Sequence, residues 1–352
     1  MRGKGEGAAG PAGAGAPSPT LKDIAAAAGV HPSTVSRALR QEPPAGGWGE
    51  TAVRIRELAA MMGYRPNFIA AGLRTRSSRT IGVVMPRLTD GVIAAMCQGI
   101  EEAATAAGYQ ILLATPRDAV EAQLHSVEML VSRQIDGLIV TSLHLDRADM
   151  AERIKAHGVP TLALNRHAEG VLPAVTSDDR QGGYLAVEHL LQLGHRRVGV
   201  IAGPRHASTA WGRTLGAMAA MRQHGVDLDE ALIVHSEFEV QGGVTAAQQL
   251  LDLDDPPTAI FAVNDTAAVG VVGAARDRGL RIPRDLSLVG YNDIPLVAQL
   301  PVPLTTVSSP HVALGSVGLQ QLLRGIRGEP MASMTLPVSM VVRASTTVPR
   351  VE

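Results

Sequence analysis

Apolar positions change their period along this chain. Between residues 20 and 62 they recur at helical spacing. Leu21, Ile24, Ala25 and Ala28 share one helix face, and Gly29 supplies the turn that follows. Pro32 then opens a second short helix, its φ already set for helix, whose Val35, Ala38 and Leu39 point inward. A third helix is predicted over 50–62, with Val53, Ile55, Leu58, Ala59 and Met62 available to close a small core. From Thr80 onward short β-rich runs take over, at 81–85, 110–114, 137–141, 161–164, 198–202, 259–263 and 286–289. Helical segments lie between them, among them 94–107, 181–193, 213–224 and 266–278. Continuous apolar strands separated by helices predict parallel sheets covered on both faces, and there is chain enough for two.

The segments that break this pattern divide the chain. Residues 1–19 are nearly all Gly, Ala, Pro and Ser and are predicted to be disordered, since they cannot bury enough surface to offset ordering entropy. Residues 20–66 form the helical head, with a loop of two prolines and three glycines at 41–49. Residues 67–79 are a linker: 67–73 read as a short helix and 74–79 as a charged, flexible connector. The α/β region fills 80–352.

Composition narrows the class. At 45% hydrophobic but only 3% aromatic residues, the core must be built from Ala, Val, Leu and Ile. The single cysteine, Cys97, excludes an intrachain disulfide framework and a cysteine-rich zinc site, and fits a reducing cytoplasm. Arg2 and Lys4 precede no apolar stretch and no run of about 18 apolar residues exists, so neither signal peptide nor membrane span is expected. The net charge of −1 hides an asymmetry: residues 20–79 carry nine Lys/Arg against four acids, and everything after them is net acidic. A basic head on an acidic body is the footprint of a protein whose head alone meets phosphates.

Two sets of polar residues are candidates for chemistry. Ser33, Ser36, Arg37 and Arg40 fall on one face of the second helix, a small cationic face suited to the major groove. In the α/β region Asn165 and Arg166, Asn264 and Asp265, and Asn292 and Asp293 each follow a predicted strand directly, where open α/β sheets bind ligands. Asp265 reads rather as the cap of the following helix, and Arg166 reads equally as a surface residue. There is no Walker A loop, HExxH or GxSxG, and the histidines are scattered singly, most of them expected at the surface; no enzyme, metal or cofactor is implied.

The ordered set of motifs resembles the LacI/GalR family of bacterial transcription regulators. It comprises Thr20-Leu21, Asp23-Ile24-Ala25, Ala28-Gly29-Val30, Thr34-Val35-Ser36-Arg37, Gly63-Tyr64-Arg65-Pro66-Asn67 and Thr80-Ile81-Gly82-Val83-Val84. Far downstream come Phe261-Ala262-Val263-Asn264-Asp265 and Val289-Gly290-Tyr291-Asn292-Asp293. The resemblance implies a helix-turn-helix head, a hinge helix that orders on DNA, and two Rossmann-like lobes crossed three times by the chain, here near 177–179, 304–307 and 332–336.

For DNA it implies contacts from His31, Pro32, Ser33, Thr34, Ser36 and Arg37, with Leu73 as a minor-groove wedge. Arg37 could take a guanine edge or a phosphate. Ala71 and Gly72 depart from the family pattern. For an effector it implies Asn165, Arg213 (opening a helix after a loop at 203–210), Phe238 as a stacking ring, Asn264 and Asn292, with Arg87 as an added anion contact. Asn292 stands where aspartate is common, and Gly91-Val92-Ile93 where Pro-Phe-Phe is common. The expected protein is a cytoplasmic homodimeric repressor that binds a pseudo-palindromic operator of about 14–20 base pairs and answers to a sugar-like metabolite. The alternatives are a transporter's solute-binding protein, which would lack the head, and a nucleotide-fold enzyme, which would need a phosphate loop or an acid/base pair.

Overall fold

The computed structural model describes residues 19–39, 48–64, 77–168 and 170–350, which fall into two units, one ending at Arg76 and one beginning at Ser77. The disordered-tail reading of 1–18, the hinge helix with Leu73, and Arg40 lie outside the described residues.

In the first unit Thr20 starts α1 (Leu21–Ala28), its amide and hydroxyl donating to Asp23 Oδ2 at 2.7 and 2.8 Å. Gly29 closes α1 at φ 67°, the left-handed conformation that glycine adopts without strain. α2 (Pro32–Ala38) begins on proline, with His31 as its N-cap, and α3 (Glu50–Met61) completes the head. Ile24, Val35 and Ile55 are fully buried at its centre. Val53, expected in that core, is 42% exposed. The inward stripe of α3 runs through Ala52, Ile55 and Ala59, and Val53 sits about 100° off it. Two of the head's cations serve the fold: Arg54 donates to the carbonyl of Ala28 at 2.9 Å, and Arg56 to that of Ala38 at 2.8 Å. They satisfy carbonyls that a helix end leaves open.

The second unit has two lobes, each a six-stranded sheet. The N-lobe holds β1 (Thr80–Val84), β2 (Gln110–Ala114), β3 (Gly137–Val140), β4 (Thr161–Leu164), β5 (Ala174–Ser177) and, near the C-terminus, β11 (Met334–Leu336). Their order is β11-β5-β4-β3-β1-β2, all parallel. The C-lobe holds β6 (Val198–Ala202), β7 (Ile233–His235), β8 (Ala259–Ala262), β9 (Ser287–Asn292), β10 (Thr305–Ser308) and β12 (Ser339–Val341). Their order is β12-β10-β9-β8-β6-β7, with only β12 antiparallel. Helices α4 (Gly91–Ala106), α5 (Val120–Ser132), α6 (Ala148–Lys155) and α11 (His311–Ile326) cover the N-lobe. The C-lobe is covered by α7 (Asp179–Gln192), α8 (Ser208–Gln223), α9 (Val240–Leu251) and α10 (Asp265–Asp277).

The chain crosses between lobes three times. The first crossing, between Ser177 and Asp179, lies where the sequence puts it. The second is later than expected: Thr305–Ser308 is itself a buried strand paired with β9, so the crossing follows at Ser309 and Pro310. The third falls at Pro337 and Val338, because 334–336 still pairs with β5. The crossings are tied side by side, by the hydroxyls of Ser177 and Ser309 at 2.6 Å and by the Asp178 amide on the Leu336 carbonyl at 2.9 Å. Ser77, Ser78 and Arg79, expected in a flexible connector, are held on one carboxylate. Ser78 N and Oγ lie 2.7 and 2.9 Å from Asp136 Oδ1, Arg79 N lies 3.1 Å from Oδ2, and the Ser77 hydroxyl also donates to it.

Helices α7 and α8 touch backbone to backbone. A Cβ at Gly183 would overlap the carbonyl oxygen of Arg213, and one at Gly216 would overlap that of Arg180. Gly183→Ala is therefore expected to force the pair apart and cost about 1–3 kcal/mol, read as a lower urea midpoint for the full chain.

The histidines depart from expectation: His144, His195 and His311 are buried. His311 opens α11 with neither ring nitrogen hydrogen-bonded, and burial pushes its pKa down to about 4. The unfolded chain takes up that proton first, near the ordinary histidine value. The stabilisation is therefore complete above that value and is lost as pH falls toward about 4. Unfolding free energy measured from pH 7 down to 4 should decline less steeply in His311→Gln, by up to about 3 kcal/mol over the range.

Candidate functional site

The first candidate is the exposed face of the head's second helix. His31 caps it: its Nδ1 accepts from the Ser33 amide at 3.2 Å and lies 2.8 Å from the Ser33 hydroxyl. Ser33 and Arg37 are exposed on α2, Pro32, Thr34 and Ser36 are half-buried, and Val35 and Ala38 turn into the core. A seven-residue helix thus carries its apolar side inward and a small hydroxyl-and-guanidinium face outward. That face suits hydrogen bonding to base edges and phosphates.

The second candidate is the cleft between the lobes of the second unit. Parallel strands of both sheets end on it, so residues just past those ends meet there. Arg87, Asn165, Arg213, Phe238, Asn264 and Asn292 all line it, together with Val92, Ile93, Asp90, Asp118, Thr141, Arg166 and Thr209. The six residues picked from the sequence are thereby brought to one place. Val92 and Ile93 supply an aliphatic wall where the family pattern would put aromatic rings.

The local folding of each residue has a visible cause. Asn165 holds φ 68° at the end of β4, a conformation asparagine tolerates, and its amide bonds Val175 O at 2.9 Å. Asn292 ends β9 at φ 113° and Asp293 follows it at φ 57°, which turns Asn292 into the cleft with its Oδ1 buried and unpartnered. Asp293 accepts from Arg343 at 2.6 Å.

Asn264 is the N-cap of α10, accepting from the Ala267 amide at 3.0 Å. The cap that the sequence assigned to Asp265 therefore belongs to its neighbour. Asp265 is structural in another way: it accepts from Thr306 Oγ1 at 2.7 Å and from Ile294 N at 2.9 Å, bracing the turn that carries Asn292. Burial pushes its carboxyl up to about 7, against those two hydrogen bonds.

Arg213 lies in the second turn of α8, which starts at Ser208 and not at Arg213 as expected. It is 4% exposed, donates through Nε to Asp179 Oδ1 at 2.7 Å and through Nη1 to Val263 O at 2.8 Å, and lies 3.7 Å over the Tyr291 ring. Its charge is thus largely spent within the protein, and only its remaining N–H groups are available to a ligand.

Several contacts cross the cleft. Arg87 pairs with Glu239, so its charge is compensated before any anion arrives. Arg166, weighed as a surface residue, is 6% exposed and bonds Asp118 Oδ2 at 2.7 Å, with its guanidinium 5.6 Å from the Phe238 ring. Asp118 also meets His144 Nε2 at 3.0 Å and His206 Nε2 at 3.1 Å. Burial alone would raise the Asp118 carboxyl, but these three donors together hold it well below the usual range. Sequence reasoning missed Asp118, His144 and His206. The signal was available, since they follow β2, β3 and β6 within a few residues, as the chosen asparagines follow their strands.

With these contacts made, the cleft encloses about 50 Å³. A larger depression of about 510 Å³ lies at the opposite, N-terminal ends of β4 and β5. Its lining is mostly Gly, Pro and aliphatic, with Lys155 and Glu329 its only charges, so it lacks the convergent polar groups of a ligand site.

Comparison with known proteins finds matches for both units. Residues 20–67 match the model "Bacterial regulatory proteins, lacI family". Residues 78–351 match "Periplasmic binding proteins and sugar binding domain of LacI family". The regulator MalR of Streptomyces coelicolor is 37% identical over 340 residues, spanning 93% of this chain and 96% of that one. The repressor CytR of Escherichia coli (strain K12) is 32% identical over 330 residues, with the same shares. Among solved structures, a lac repressor dimer bound to operator and the anti-inducer ONPF gives a TM-score of 0.84 at 28% identity, covering 93% of this chain and 99% of that one. A helix-turn-helix head, a two-lobed domain with a polar cleft and these likenesses converge: the chain belongs to the LacI family of bacterial regulatory proteins.

Proposed function

We propose that this protein is a homodimeric, cytoplasmic transcriptional repressor without enzymatic activity, whose heads read a pseudo-palindromic operator and whose cleft binds a small, hydroxyl-rich metabolite of the sugar type. The observation that carries the reading is the meeting, in one cleft, of amides and a guanidinium from both lobes beside an aromatic ring, in a chain that also bears the exposed α2 face. Amides both donate and accept, and an aromatic face stacks on the apolar side of a sugar ring. The compensated state of Arg87, Arg166 and Arg213 favours a neutral ligand over an anion. Among the described residues no helix is long and apolar enough to cross a membrane.

On DNA, Ser33 and Arg37 are the contacts that α2 leaves free to reach bases, with His31, Thr34 and Ser36 set for phosphates. Closure of the lobes on a ligand shifts the population of repressor forms that can bind the operator, and by reciprocity the operator changes ligand affinity by the same factor.

Arg37→Ala is expected to cost about 1–3 kcal/mol on the selected operator and to relax preference at one base pair in each half-site. Fluorescence anisotropy on selected and random duplexes decides it; an equal loss on both reduces Arg37 to a phosphate contact.

In the cleft, Arg213→Ala leaves Asp179 buried without its partner and should destabilise the protein by about 3–5 kcal/mol, so it is a poor test of binding. Phe238→Ala is the better one. Thermal shift against a panel of neutral mono- and disaccharides should find a stabilising ligand for the parent protein, and Phe238→Ala should bind it about tenfold more weakly, on the scale of one aromatic contact. Unchanged affinity removes Phe238 from the site.

A further inference from the structure

We propose that Asp118, His144 and His206 form a site for a divalent transition metal that spans the cleft and ties one lobe to the other. One ligand atom from each of the three lies within 4.8 Å of the others. Asp118 and His144 belong to the N-lobe, after β2 and β3, and His206 to the C-lobe, after β6. The two imidazoles aim Nε2 at different oxygens of the one carboxylate, at 3.0 and 3.1 Å. An ion entering between them replaces two hydrogen bonds with three ligand bonds. Nε2 of each ring is open to the ion when the ring hydrogen is carried on Nδ1. Two imidazoles and one carboxylate suit zinc, cobalt or nickel, whereas calcium and magnesium demand an all-oxygen shell.

The surroundings also suit a metal. Gln123 Nε2 donates to Asp118 at 3.3 Å and itself accepts from Ser142 at 2.8 Å, so the carboxylate is oriented from behind. The rings of His144 and His206 are stacked at 4.0 Å and 19°. A metal lies in the plane of each imidazole it binds, so the rings must splay; His206, half-buried on the loop after β6, is the less enclosed of the two. Arg166 opposes binding by holding Asp118 Oδ2 at 2.7 Å. A carboxylate offers about four lone-pair positions, which leaves a place for the ion beside the guanidinium at an electrostatic cost. Three protein ligands leave a further coordination position, and Asp118 itself lines the cleft, so water or a ligand oxygen can complete the shell from that side. Because the donors come from both lobes, the metal favours the closed form. Whatever ligand closes the cleft then tightens the metal, and the metal the ligand.

The proposal stands apart from the identity of the effector, and its test needs none. The full chain, stripped with chelator and exchanged into metal-free buffer, is titrated with Co2+ and followed by visible absorption, with Zn2+ competing. One Co2+ per chain is expected, with d–d bands stronger than those of the hexa-aqua ion and displaced by Zn2+. His144→Ala and His206→Ala should each weaken binding at least about tenfold. Arg166→Gln should tighten it, since it removes a neighbouring cation; a cluster that is only a hydrogen-bonded latch would not respond in that way. His206→Gln, which keeps size and polarity without the imidazole, covers the event that the alanine variants do not fold. No absorption beyond that of the aqueous ion at submillimolar Co2+ overturns the proposal, as does one-to-one binding that survives loss of both histidines.

Discussion

The buried Arg213–Asp179 pair is the interaction on which the rest of the second unit depends. Asp179 is the first residue after the first lobe crossing, Val263 directly follows β8, and Tyr291 lies near the end of β9. One guanidinium bonds the first two and covers the third. Taking two charges out of water costs several kcal/mol each, and the cost is offset only where geometry and further hydrogen bonds are good. Here the ion pair, the carbonyl of Val263 and the Tyr291 ring provide them. Removing either partner strands a charge, so the same contact that organises the cleft floor also makes it fragile.

That arrangement needs α7 and α8 at contact distance, and glycine permits it. Gly183 and Gly216 let the two backbones meet without intervening side chains. The same device recurs between α4 and α11, through Gly99 and Gly315. The core is poor in aromatic rings, and close backbone approach with small residues replaces bulk as the means of filling space.

Much of this was legible in the sequence. The buried central strands are unbroken apolar runs, so β1, β3, β4, β6 and β8 stand out within a residue or so, and the apolar edge strand β2 stands out with them. The edge strands β7, β11 and β12 are three residues long and half exposed, and carry no periodic signal. β10, Thr-Thr-Val-Ser, reads as a connector because its threonines are buried through tertiary hydrogen bonds that no local pattern reveals. Cleft residues that sit alone after a strand could be picked one at a time. Each member of the Asp118 cluster also follows a strand end, but that the three meet is not legible, because the histidines lie 26 and 88 residues from Asp118 and only the lobe topology brings them together. The charge asymmetry was also legible, but not its internal use: Arg54 and Arg56 close helix ends and so contribute less to phosphates than a count suggests.

The clasp of Asp136 on Ser77, Ser78 and Arg79 has a mechanical meaning. A tether with slack absorbs small displacements at its root and passes nothing on. Here the chain leaves the N-lobe under four backbone and hydroxyl restraints from one carboxylate on the loop before β3, beside the root of β1. Rotation of that lobe about the three tied crossings therefore moves Ser77 as a rigid lever arm would. Displacement of that lobe reaches the residue at which the second unit begins without being lost in a loose joint.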